Sequence, residues 1–75
     1  MITVKVVSKS SGDSVKDKKV ALGISGLLAG GVTPAEWTDS NGEAHFDVKP
    51  NHGKVFVDGL ARREGYLSGR IVVYI

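Results

Sequence analysis

Trp37-Thr38-Asp39-Ser40-Asn41-Gly42-Glu43-Ala44-His45-Phe46-Asp47-Val48 is the stretch whose reading decides the fold. Asp39 to Gly42 places turn formers in a row, because Asp and Asn side chains bond nearby backbone and Gly42 accepts a positive φ. Strict alternation follows. Ala44, Phe46 and Val48 point one way, and Glu43, His45 and Asp47 the other, as a strand buried on one face requires. An incoming strand would set Trp37 over the same core. The stretch therefore predicts a β-hairpin.

The same period of two recurs on either side. Ile2-Thr3-Val4-Lys5-Val6 reads as an opening strand with Ile2, Val4 and Val6 inward. A polar turn cluster from Ser8 to Ser14 follows. Val15 to Lys19 then leads into a second strand, Val20-Ala21-Leu22-Gly23-Ile24, with its large side chains inward. Gly26-Leu27-Leu28-Ala29-Gly30-Gly31 reads as a connection between sheets, with Leu27 and Leu28 plugging one end of the molecule or forming an exposed apolar tip. Val32 to Thr38 forms the third strand, placed at an edge because Pro34 has no amide hydrogen. Its alternation puts Thr33, Ala35 and Trp37 on one face, with Trp37 in the core rather than serving as a ligand platform. After Pro50 to Gly53 comes a strand from Lys54 to Asp58. Gly59 to Gly69 is expected to be the long loop of the second half, and Arg70-Ile71-Val72-Val73-Tyr74-Ile75 the closing strand.

Size and composition narrow the class. Seventy-five residues make a single domain spanning 1–75, near the lower limit for folding without staples. Cysteine is absent, which excludes disulfides, thiolate metal sites and thiol nucleophiles. Ten glycines and 41% hydrophobic residues suit a β protein with many tight turns. A net charge of +2 is too mild to announce a nucleic-acid partner. No apolar run approaches the ~20 residues of a membrane helix. With Met1 at the start and no secretory signal, a cytoplasmic protein is slightly favoured over a module excised from a longer secreted chain.

The order of these pieces carries a resemblance. An apolar strand, Thr38-Asp39-x-x-Gly42, an alternating strand with a central Phe46, the Pro50–Gly53 turn and a further strand resemble the prealbumin-like sandwiches. These include the carboxypeptidase regulatory-like and transthyretin-like domains and, more loosely, the bacterial Ig-like modules. Ile2–Val6, the Gly12 loop and Val20–Ile24 match the expected opening, and Gly65-Tyr66 is similar to the Gly-Tyr that often precedes the last strand. The resemblance implies an all-β, single antiparallel β-sandwich of six to seven strands. Function does not follow from it. The catalytic transthyretin-like members, which hydrolyse 5-hydroxyisourate, carry a His in the opening strand and end in Tyr-Arg-Gly-Ser. This chain has no His in Ile2–Val6 and ends Val73-Tyr74-Ile75, so no catalytic residue carries over.

Other chemistries find little support. Glu43, His45 and Asp47 share one strand face about 7 Å apart, a spacing that could offer ligands to a metal with His52 as a fourth. Polar residues on a solvent face are needed there in any case, so no metal and no cofactor is expected. Asp39-x-Asn41-Gly42 lacks the later ligands of a calcium loop. The glycines of 26–31 lack the spacing and the following Lys-Ser or Lys-Thr of a phosphate loop. Lys16, Lys18 and Lys19 are interleaved with Asp13 and Asp17, without aromatics for base stacking. Trp37, Phe46, Phe56, Tyr66 and Tyr74 are too dispersed for the stacking platform of an oligonucleotide-binding barrel.

What remains is surface. If Val55 and Val57 face the core, Phe56 faces outward; if Ile71, Val73 and Ile75 enter it, Val72 and Tyr74 are left outside. Pairing of those two strands across the Gly59–Gly69 loop would set Phe56, Val72 and Tyr74 on one outer face. That face predicts self-association into a homo-oligomer through it or through the edge of the last strand, unless Tyr66 and Leu67 fold back over it. The alternative is a module recognising carbohydrate or protein, with Trp37 as its platform. No nucleic acid and no membrane is expected as partner.

Overall fold

Branched aliphatic residues at every second position can bury one face of a strand only by packing it on another sheet. The computed structural model describes residues 1–24 and 31–75, and resolves this demand as two sheets. Seven strands lie among the described residues: β1 (Ile2–Val7), β2 (Lys19–Ile24), β3 (Glu36–Trp37), β4 (Glu43–Phe46), β5 (Asn51–Val57), β6 (Leu60–Leu67) and β7 (Gly69–Tyr74). One sheet has the order β4-β1-β7 and the other β3-β2-β5-β6. Their inner faces form a single core, with Ile2, Val4, Val6, Ala44, Phe46, Ile71 and Val73 from the first meeting Val20, Leu22, Ile24, Val55, Val57 and Leu67 from the second. The all-β expectation and the inward assignments in β1, β2, β4 and β7 agree with this. The expected connection at 26–30 lies outside the described residues.

Four local expectations are corrected. The Asp39–Gly42 turn forms, but it is a corner between sheets and no hairpin: β3 pairs with β2, and β4 with β1. Trp37 is 59% exposed instead of buried. Of the expected third strand, Glu36 and Trp37 form a two-residue ladder with β2 and Val32 a lone bridge to Gly23, and the Lys19↔Trp37 register turns the indole to the outer side with Lys19. The inward positions go to two threonines. Thr33 Oγ1 accepts a hydrogen bond from the Leu22 N–H at 3.0 Å. Thr38 Oγ1 donates to the Val15 carbonyl at 2.7 Å and accepts from the Lys18 N–H at 2.9 Å. These hydroxyls satisfy backbone groups of Leu22 in β2 and of Val15 and Lys18 in the segment that leads into it.

Third, Gly59 to Gly69 is mostly a strand, β6. Asp58 and Gly59 both have positive φ, 51° and 82°, the backbone of the two-residue turn whose twist matches a hairpin. β6 therefore pairs with β5 along its length, with one irregularity opposite Val55 and Phe56. Fourth, the sandwich is not wholly antiparallel. Gly69, at φ 58°, swings the chain into the other sheet, where β7 runs parallel to β1 from Ile2↔Gly69 to Val7↔Tyr74.

Candidate functional site

Exchange of the chain between sheets decides which surface residues meet. β5 and β7 do not pair, so Phe56 lies on the outer face of one sheet and Val72 and Tyr74 on that of the other. The single face expected for Phe56, Val72 and Tyr74 is not formed. Cross-strand register builds two surfaces in its place.

The outer face of the β4-β1-β7 sheet has three rows. His45, Thr3 and Arg70 lie side by side, then Glu43, Lys5 and Val72, then Val7 beside Tyr74. The first rows form a polar network. Thr3 Oγ1 lies 2.9 Å from His45 Nδ1. His45 Nε2 faces Asp39 Oδ2 at 3.8 Å and Glu43 Oε1 at 3.9 Å, while the Arg70 guanidinium holds the other Glu43 oxygen at 3.1 Å. Asp39 Oδ1 accepts from the N–H groups of Asn41 and Glu43 at 2.9 and 3.0 Å. The Glu43 N–H, then that of Asn41 and the nearby His45, hold the Asp39 carboxyl below its usual value of 3.8. The last row is apolar: Val7 and Val72 are half-buried, and Tyr74 is 56% exposed.

Residues able to hold a metal are thus Asp39, Glu43 and His45, whose ligand atoms lie within 4.8 Å of one another. Asp47 is outside that group. His52 sits on the opposite sheet, edge-on to Tyr66 with ring centroids 5.2 Å apart. Arg70 already supplies a cation to Glu43, so the network's evident work is to tie β4 to β7 across β1.

On the β3-β2-β5-β6 sheet, Phe56 is half-buried and separates two shallow hollows of about 420 and 450 Å³. Ala21, Val32 and Ala35 line the smaller one, and Val32, Lys54 and Glu64 help line the larger. Trp37 stands at the margin beside Lys19. Of the lysine group, Lys18 is paired with Asp58 at 3.3 Å. Tyr66 is exposed on this sheet and Leu67 is fully buried in the core, so neither folds back over Val72 and Tyr74.

Sequence reasoning missed Val7, which continues the β1 alternation by one residue and joins Val72 and Tyr74 on the outer face. Extending the Ile2–Val6 pattern was the available signal. No family model, no curated protein and no solved structure matches this chain.

Proposed function

We propose that this chain is a non-catalytic assembly module that associates with copies of itself through β7 and the apolar end of the sheet to which β7 belongs. The observation that carries this reading is the coincidence, on one strand, of an apolar outer row and an unpaired edge. Val7, Val72 and Tyr74 are contiguous there, and no other described strand pairs with the far side of β7. Small domains have little stability to leave unused, and an uncovered edge with apolar side chains is a template for another strand. The prealbumin-like or Ig-like frame belongs to the same proposal, and the face-to-face sheets support it. No cofactor enters it, and the polar network around His45 is read as structural.

Sedimentation velocity from about 1 to 100 µM tests the reading. A reversible dimer or closed oligomer that Tyr74→Glu weakens is the expected result; a monomer throughout overturns it.

The exposure of Trp37 favours a second reading, recognition of carbohydrate or protein by the other sheet. An open indole beside a shallow apolar hollow is a surface on which a sugar ring could stack. Quenching of Trp37 fluorescence by members of a glycan panel would support it, and an unresponsive indole would remove the carbohydrate version.

A further inference from the structure

The ladder between β1 and β7 fixes which backbone groups face outward. Beyond the last paired residues, the Ile75 N–H donates to the Val7 carbonyl at 2.9 Å, and the Ile75 carbonyl accepts from the Lys9 N–H at 2.8 Å. Ile75 thus turns both polar groups toward β1. Alternation along a strand gives the same role to Val73 and Ile71, and directs both the N–H and the C=O of Arg70, Val72 and Tyr74 to the open side.

The other edges are blunted. β3 is two residues long, β4 carries Glu43 and His45 in four residues, and β6 has an irregularity and the run Arg62-Arg63-Glu64. β7 has six residues without proline, and no shift interrupts its pairing. Charge and proline are the usual guards of an edge; β7 has Arg70 alone.

We propose that two copies join by antiparallel pairing of β7 with β7 about a twofold axis at Val72, doubling the three-stranded sheet. This deepens the assembly reading above and rests on it. Self-complementarity selects the register. An axis at Val72 faces Val72 with its own copy and Arg70 with Tyr74 of the second copy, so every outward N–H and C=O finds a partner. The aliphatic stem of Arg70 then lies across the strand from the phenol ring, while its guanidinium stays on Glu43. An axis at Arg70 would oppose two guanidinium groups, and one at Tyr74, the last residue of β7, would set little of β7 against its own copy.

Directly opposed residues of this hydrogen-bonded type have Cα atoms about 5.5 Å apart, within the span of a disulfide. In a chain without cysteine, Val72→Cys should give covalent dimers under mild oxidation, much faster than Asp47→Cys just after β4. Arg70→Cys mixed with Tyr74→Cys should give the mixed dimer in preference to either self-pair. Val72→Pro removes an N–H that the native ladder does not use, so the variant should keep the wild-type circular dichroism and sediment as a monomer. If Val72→Cys crosslinks no faster than Asp47→Cys, or Val72→Pro still dimerises, this register is wrong even where the wild type self-associates. A wild type that is monomeric at 100 µM removes both proposals.

Discussion

The ring edge of Phe56 occupies the space into which a side chain on Gly23 would project: a β-carbon there would lie 2.8 Å from Phe56 Cε2. The two residues sit diagonally, because Phe56 is paired with Ala21 and Gly23 with Lys54. An aromatic ring thus covers bare backbone next to it and becomes half-buried on an outward face. Gly23→Ala should push the ring aside at a cost of about 1 kcal/mol or less, since a ring can swing. Gly53→Ala on the neighbouring strand should cost about 1–3 kcal/mol, because its β-carbon would run into the backbone carbonyl of Gly23. Urea midpoints of the two variants, with NMR of the Phe56 ring protons, check both.

Gly59 offers a cleaner backbone test. A β-carbon there meets no atom within 4 Å, and φ is +82°. Gly59→Val should therefore destabilise by roughly 1–2 kcal/mol through the left-handed conformation alone. Asp58→Asn, at φ 51°, should be tolerated within about 0.5 kcal/mol, since Asn adopts that region readily. Equilibrium unfolding with a fixed m-value distinguishes these outcomes.

Trp37 and Thr38 are adjacent and opposite in consequence. The indole is 59% exposed, whereas Thr38 is 2% exposed and its hydroxyl bonds two separate backbone groups. Trp37→Ala should change stability by no more than about 0.5 kcal/mol, and the native fluorescence should be red-shifted and readily quenched by iodide. Thr38→Val should cost about 1–3 kcal/mol by leaving the Val15 carbonyl and the Lys18 N–H unpaired. Comparable effects at the two positions would contradict the register of β3.

The Asp39 turn should show in the pH dependence. Its carboxyl is held below 3.8 by the N–H groups of Glu43 and Asn41. A lowered folded-state pKa contributes stability that is fully present above the unfolded value and is lost as pH falls through the folded one. Asp39→Ala should therefore unfold at a lower urea concentration than wild type at pH 7. The gap should narrow once the pH drops below 3.8 toward the folded-state pKa.

Alternation made the core faces legible. Ile2, Val4 and Val6, then Val20, Leu22 and Ile24, then Ala44 and Phe46 are buried as their spacing demands. What misled was pairing, which depends on turns more than on strands. Asp58-Gly59, flanked by Val57 and Leu60, is a strong two-residue hairpin signal. Arg62, Arg63 and Glu64 obscured it by giving a polar, loop-like composition to an edge strand. Trp37 was misplaced because large aromatic residues are usually buried, while the short inward position went to Thr38. The candidate interface fared similarly. Outward placement of Phe56, Val72 and Tyr74 followed from period two, but their division between sheets depended on Gly69, whose positive φ sends the chain across.

The union of β1 with β7 also governs assembly in time. Ile2 must find Gly69, and Val7 must find Tyr74, so β1 cannot reach its central place until β7 has been synthesised. The β5–β6 hairpin closes locally and long before that. Pairings so distant along the polymer slow the search for the native state. Until it ends, Val4 and Val6 lack the cover that Ile71 and Val73 give them in the finished sheet.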